Sequence, residues 1–225
     1  MSSSVVPGVG PATRRTVAVL GVVAGFAAVE HGVGEIVQGP VAAGPVIESW
    51  PDVEAFEVLD GEPAMTLVGN MLLSGVLTIV VALVFSLWCA RSVARPRDGA
   101  VIVALSVLLL LVGGGFGPPL VGLLLGVAVM SGDVTKGRAR SLARPVGRLW
   151  RPALVVAVAA YLALFPGTVL VRWALGVGSP VTVAVLAVLA FAALTTALVA
   201  AVGRDRAGAG PDRAAAGPGR RSRAR

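Results

Sequence analysis

The sequence predicts an all-α protein of the membrane, a polytopic bundle of five to six transmembrane helices with both termini cytoplasmic. Hydrophobic residues make up 56% of the 225-residue chain, and the mean hydropathy is +0.87. Charged residues contribute 14%, against about 25% in ordinary soluble domains. Several apolar runs reach the length of about 20 residues that a helix needs to cross a hydrocarbon core. A chain of this size cannot bury so many runs in a soluble core, so we expect a multi-pass protein of the cell membrane.

The first predicted helix covers residues 16–39 and follows a short lead. Residues 1–13 are rich in Ser, Gly and Pro, a composition that favours a disordered cytoplasmic segment. Arg14 and Arg15 stand directly before the apolar run and retain this end of the helix in the cytoplasm. The same pattern is also typical of a signal peptide, and cleavage after Ala28 would leave the polar end of the helix outside the membrane. The helical pattern continues beyond that point, which favours an uncleaved span.

Residues 40–65 form an acidic loop without lysine or arginine. Because cytoplasmic loops of membrane proteins carry an excess of basic residues, nothing in this segment retains it in the cytoplasm. We therefore expect the loop on the outer side of the membrane, with Trp50 near the outer headgroups. The six acidic residues of the loop are Glu48, Asp52, Glu54, Glu57, Asp60 and Glu62.

The next predicted helices cover residues 66–88, 100–113 and 118–131. The last two are separated by the glycine- and proline-rich segment Gly113–Pro119, and they form either a hairpin of two short helices or one kinked span. Basic residues flank the region on both sides, which predicts an even number of crossings and favours the hairpin. Each arm of about 14 residues rises only about 20 Å, which is short for a full span. The flanking basic residues are Arg91, Arg95, Arg97, Lys136, Arg138, Arg140, Arg144, Arg148 and Arg151.

Two further helices are predicted over residues 152–176 and 181–202, and Pro166-Gly167 predicts a kink in the first of them. Residues 203–225 are rich in arginine and are expected to form a disordered cytoplasmic tail. Arginines near a membrane surface bind anionic lipid headgroups. Since neither aromatic residues nor a folded nucleic-acid-binding motif accompany the tail, no nucleic-acid partner is expected. The residues expected to contact headgroups are Arg220, Arg221, Arg223 and Arg225.

The polar end of the first helix is the main candidate site, because ionisable side chains within a membrane span are costly and usually functional. It contains the only histidine of the chain. At 100° per residue, His31, Glu35 and Gln38 share one stripe of the helix, and Glu30 lies about a quarter-turn away. We expect Asn70 of the second helix, the Gly113–Pro119 break, the Pro166-Gly167 kink and Arg172 at the same depth.

Two kinds of chemistry fit these residues. Rows of carboxylates and histidine handle protons or small cations in membrane proteins, which gives that role to Glu30, the stripe, Asn70 and Arg172. Alternatively, His31 and Glu35, spaced four residues apart, hold a divalent metal, with further oxygens from Glu30, Asn70 or the acidic loop. In a purely structural interpretation, Glu35 pairs with Arg172 and His31 bonds a neighbouring helix. No cofactor other than such a metal is expected.

Small residues spaced four apart allow helices to approach closely. Gly21 and Gly25 have this spacing in the first helix, as do Gly122 and Gly126 in the fourth. They are compatible with a homo-oligomer or with a membrane partner. The Gly113–Pro119 segment is either a discontinuous helix that lines a cavity or a hairpin turn whose glycines adopt positive φ and whose prolines begin the next helix.

Two phrases of the sequence resemble a known group of proteins. Residues Glu30–Gly39, which read EHGVGEIVQG, and Gly113–Pro119, which read GGGFGPP, are similar to phrases in small multi-pass integral membrane proteins of bacteria that have no assigned activity. The resemblance covers about the first 130 residues. It implies a membrane location and nothing about mechanism or ligand.

The sequence supports three functional hypotheses. The first is an outward-facing site that binds or passes a small cation or a proton. The second is a non-catalytic membrane subunit or regulator that contacts partner helices, and the third is a metal-dependent membrane enzyme. No serine elbow, zincin motif or P-loop is present in the sequence, which favours the two hypotheses without catalysis.

Overall fold

The computed structural model of the chain describes residues 8–131 and 147–208. Within these ranges the fold is helical apart from one two-stranded hairpin. The helices are α1 (Pro11–Val37), α2 (Met71–Arg91), α3 (Asp98–Leu111), α4 (Gly117–Met130), α5 (Trp150–Leu162), α6 (Thr168–Leu175) and α7 (Pro180–Gly208). The hairpin strands are β1 (Val46–Glu48) and β2 (Pro63–Met65); the 3-10 helix Glu54–Leu59 lies between them, and a π-helical turn, Ala163–Gly167, joins α5 to α6.

The helices run back and forth between two ends of a bundle. At one end, the segment between α1 and α2 meets the α3–α4 turn, because the amide of Leu67 donates to the carbonyl of Leu111 at 2.8 Å. We call this the loop end. At the other end, the amide of Val9 donates to Ala94 O at 2.9 Å, and Arg206 donates to Ser131 O at 3.3 Å. The first and last described residues therefore lie at the same end of the bundle, which we call the terminal end.

Residues 100–131 form a hairpin and not one kinked span. Gly99, at the start of α3, packs against Gly126 and Met130, near the end of α4. The two helices are therefore antiparallel, and the segment from Gly113 to Phe116 turns the chain at the loop end. Gly113 and Gly115 have φ values of +111° and +69°, which glycine adopts at little cost.

Helix α1 begins at Pro11, earlier than the predicted residue 16, because a residue distant in sequence caps it. The Asp205 carboxylate accepts hydrogen bonds from the amides of Ala12 and Thr13, at 3.0 and 2.8 Å, and from the Thr13 hydroxyl at 2.7 Å. A helix N-terminus has unpaired amides that such an acceptor satisfies. Asp205 belongs to α7, which continues to Gly208, beyond the predicted residue 202. Parts of the predicted lead and tail are thus helical.

Two other predicted helices have different bounds. Helix α2 begins at Met71 instead of residue 66, because the side chain of Asn70 accepts a hydrogen bond from Leu73 N at 3.1 Å and so forms its N-cap. The kink expected at Pro166-Gly167 is present. Phe165 has an extended backbone, with φ −147° and ψ 125°, which separates α5 from α6.

The glycines with four-residue spacing pack within the chain. A Cβ atom on Gly21 or Gly25 would overlap Cys89 or Ser86 of α2, so these glycines permit close packing of α1 against α2. Gly122 and Gly126 similarly face Ser106 and Val103 of α3. The spacing thus serves internal helix packing, and it gives no support to contact with a second copy.

Within residues 8–131 and 147–208, four helical stretches are long and apolar enough to cross a membrane: Pro11–Val37, Met71–Arg91, Trp150–Leu175 and Pro180–Gly208. Helices α3 and α4 are apolar but have 14 residues each. Large apolar side chains are exposed along the bundle, among them Val80 at 52%, Val155 at 67% and Val188 at 69%. Such a surface is compatible with contact with lipid. The arginines expected to bind headgroups lie outside the described residues.

Candidate functional site

The β-hairpin places the side chains of Ser49, Trp50 and Glu62 over the polar end of α1. Its strands are antiparallel, with Glu48 opposite Pro63, and the pairing continues beyond them. The amide of Ser49 donates to Glu62 O at 3.1 Å, and that of Trp50 donates to Gly61 O at 3.0 Å. Gln38 fixes the hairpin to the helix, because its side-chain amide donates to Glu48 O and Ser49 O at 3.0 Å each.

Glu30, His31 and Glu62 form a compact group, which we call the acid–histidine cluster. Each residue offers one atom that could bind a metal, and these three atoms lie within 4.8 Å of one another. His31 Nδ1 and Glu62 Oε2 are 3.5 Å apart. His31 is 8% exposed and Glu62 is 7% exposed, whereas Glu30 is half-buried.

Hydrogen bonds from other residues account for only part of the cluster, and a proton on Glu62 can bridge the adjoining carboxyl groups of Glu62 and Glu30. The indole N–H of Trp50 donates to Glu30 Oε1, and Trp50 itself stacks on Phe56 with ring centroids 4.9 Å apart. The Ser49 hydroxyl lies 2.9 Å from His31 Nδ1. The second oxygen of each carboxyl group, Oε2 of Glu30 and of Glu62, is buried without a hydrogen-bond partner. Buried polar atoms of this kind usually have a partner in the native state, whether protein, water or ion.

Electrostatics make ionisation of Glu62 costly. Burial raises the pKa of Glu62 well above its ordinary value of 4.5, and the neighbouring Glu30 raises it further. Its backbone also has φ +56°, a left-handed conformation that is unfavourable for a residue with a Cβ. Arg172 does not neutralise the cluster, because its guanidinium binds Glu57 at 2.6 Å.

Glu35 lies outside the acid–histidine cluster. It is 0% exposed, and both of its carboxyl oxygens lack a hydrogen-bond partner. It faces the α3–α4 turn, where a Cβ atom on Gly113 would overlap the carboxyl group. A Cβ atom on Gly115 would likewise overlap His31 Nε2. The two sequence phrases that carry the bacterial resemblance therefore meet at the loop end.

Three predicted roles need correction. The predicted metal pair was His31 and Glu35, but Glu62 and Glu30 accompany His31, because Glu35 points to Gly113 instead. Asn70 caps α2 and is not part of the cluster.

The proposed pairing of Arg172 with Glu35 is also wrong. Arg172 lies at the end of α6 and contacts Glu57 and, at 3.9 Å, Glu54 of the 3-10 helix. It also donates to Gly176 O at 3.1 Å. Arg172 therefore fixes the acidic loop to α6.

Sequence reasoning singled out neither Glu62 nor Ser49. The acidic loop was recognised as a source of ligands, but its six acids have no sequence feature that separates one from another. A weak signal exists for Glu62: it follows a glycine and directly precedes Pro63, which is typical of a turn entering a strand.

Comparison of the chain with protein-family models, with curated proteins and with solved structures finds no match.

Proposed function

We propose that the chain is a multi-pass membrane protein whose acid–histidine cluster faces outward and binds a divalent cation. The observation that carries this proposal is the convergence of Glu30, His31 and Glu62 within 4.8 Å, with one buried, unpartnered oxygen on each carboxyl group. A cation at this place would satisfy both oxygens together.

Charge and ligand type favour a divalent transition metal such as Zn²⁺ or Mn²⁺. Two carboxylates supply a charge of about −2, which a divalent ion balances, and neutral imidazole is a common ligand of these metals. Around a tetrahedral ion with bonds of about 2.1 Å, neighbouring ligand atoms lie about 3.4 Å apart. The 3.5 Å between His31 Nδ1 and Glu62 Oε2 is close to this value. The Ser49 hydroxyl, 2.9 Å from the same nitrogen, offers a further oxygen.

The outward orientation is supported by the distribution of charge. The loop end contains the acidic segment and no lysine or arginine between residues 40 and 65. The terminal end contains Arg91, Arg95 and Arg97, which would retain it in the cytoplasm. The cluster would then bind cations from outside the cell.

Metal content tests the proposal. Protein purified in mild detergent, incubated with Zn²⁺ and Mn²⁺ and then dialysed, should retain about one metal equivalent by plasma mass spectrometry. His31→Ala and Glu62→Gln should lose it, because each removes a ligand. Glu57→Gln is the matched control, since Glu57 lies in the same loop but binds Arg172; it should retain the metal.

Two results would contradict the proposal: wild-type protein without bound metal, or equal metal in all four proteins. A stoichiometric membrane partner that copurifies with metal-free protein would instead favour the non-catalytic subunit.

A further inference from the structure

Glu35 is a buried carboxyl group that the proposed metal site does not use. It is 0% exposed, with neither oxygen hydrogen-bonded, and it is not among the three residues of the acid–histidine cluster. An ionised carboxylate in such a place loses its hydration without compensation, and the usual outcome is that the group becomes neutral.

The hydroxyl group of Ser74 adjoins Glu35, but in this structure it is directed at other acceptors, as is that of Thr78. Ser74 and Thr78 of α2 both direct their hydroxyls at Val112 O, at 2.7 and 2.6 Å, and Ser74 is also 2.9 Å from the hydroxyl of Thr66. Each hydroxyl has a single hydrogen. Toward Glu35, the adjoining Ser74 oxygen therefore presents its lone pairs, which accept a hydrogen bond but do not donate one.

Among the described residues, no cationic side chain forms an ion pair with Glu35. Helix α2 is packed against α1, and its buried residues include no basic side chain. The α3–α4 turn, from Gly113 to Phe116, contains no titratable residue. On α1 itself, the nearest titratable group is His31, which faces Gly115 and the hairpin instead.

We propose that Glu35 is a proton-binding site, distinct from the metal cluster, in which the protonated carboxyl group donates to the hydroxyl oxygen of Ser74. The space for this group depends on Gly113, whose φ of +111° and missing Cβ leave room for the carboxyl oxygens. The α3–α4 turn closes the site at the loop end.

Infrared spectroscopy tests the proposal. At pH 7, the spectrum of wild-type protein minus that of Glu35→Gln should contain the carbonyl band of a protonated carboxylic acid. In D₂O this band should shift to lower frequency, because a proton-binding site exchanges its proton with solvent. Glu35→Gln preserves the shape of the neutral acid, so it should fold.

A second variant, which leaves Glu35 in place, tests whether the infrared band belongs to the Glu35 carboxyl group. Ser74→Ala removes the acceptor, so the same band should persist and move to higher frequency, as a weaker hydrogen bond requires. Thr195→Ala is the matched control, because Thr195 is exposed on α7 and bonds only its own helix; it should leave the band unchanged.

A carboxylate band in place of the acid band would overturn the proposal, as would a band that does not respond to D₂O. The latter would mean a permanently neutral structural group. These outcomes are independent of metal binding, because Glu35→Gln leaves all three cluster residues in place.

Discussion

At the scale of a single residue, Glu62 would couple proton binding to the proposed metal binding. Its pKa is raised by burial and then by the charge of Glu30. The titratable groups that face it are Glu30 and His31 of α1, with Tyr161 of α5 also within electrostatic reach. This raised pKa predicts that the metal-free protein holds a proton on Glu62 at neutral pH, and a metal bound through this carboxylate would displace it.

The expected result is that metal affinity increases with pH through the neutral range. Displacement of one proton makes the apparent affinity rise about tenfold per pH unit while the pH is below the pKa of the metal-free site. Calorimetric titration of the detergent-purified protein at several pH values measures this slope. In Glu57→Gln the slope should be unchanged, and a pH-independent affinity in the wild type would refute the linkage.

The metal-free protein should show the opposite trend in stability. Since the folded state raises the pKa of Glu62 above 4.5, it binds more protons than the unfolded state as the pH rises above that value. The free energy of unfolding then falls as the pH increases, and Glu62→Gln should flatten this dependence. Thermal unfolding in detergent with a chelator present measures it.

The sequence draws attention to residues whose chemistry conflicts with their surroundings. Glu30 and His31 stand out because they interrupt an apolar helix, and the cost of that placement can be read from the sequence. Glu62 lies among other acids in a polar loop, where a carboxylate costs nothing. What distinguishes Glu62 is its burial by the hairpin, and burial depends on contacts between segments about 30 residues apart.

At the scale of elements, the α3–α4 turn connects the two buried sites. Gly115 adjoins His31 and Gly113 adjoins Glu35, both at positive φ. Gly115→Ala should cost about 1–2 kcal/mol in backbone strain, and its Cβ would also displace the imidazole. We expect a lower unfolding temperature and weaker metal binding.

Gly117→Ala is the control for this substitution, because a Cβ there meets no atom within 4 Å. Differential scanning fluorimetry and calorimetric titration of the two variants would measure both effects. Equal stability and equal metal affinity in the two variants would show that the turn does not hold His31.

The ends of the elements were harder to predict than their existence. Apolar length alone indicates where α1, α2 and α7 lie, since a run of about 20 apolar residues has few alternatives. The start of α1 depends instead on Asp205, which caps it from the other end of the chain. A cap supplied by a distant residue has no local sequence signal. The sequence prediction therefore begins α1 too late and ends α7 too early.

For the whole molecule, the positions of the basic residues predicted the path of the chain better than the lengths of the helices did. Neither arm of residues 100–131 is long enough to indicate a span with certainty, and the hairpin was favoured because both flanks are basic. The antiparallel packing of α3 and α4 agrees with that argument. The sidedness of the bundle is expected from the same distribution of charge, and it can be measured in a bilayer.

Cysteine labelling provides that measurement, because Cys89 is the only cysteine of the chain and is buried. In a Cys89→Ala background, Glu54→Cys should react with a membrane-impermeant maleimide in intact cells, since Glu54 is exposed at the loop end. Arg95→Cys, exposed at the terminal end, should react only after permeabilisation. The reverse pattern would place the acid–histidine cluster at the cytoplasmic surface. The metal that it binds would then come from inside the cell, and the proposed capture of external cations would be wrong even if the cluster binds metal.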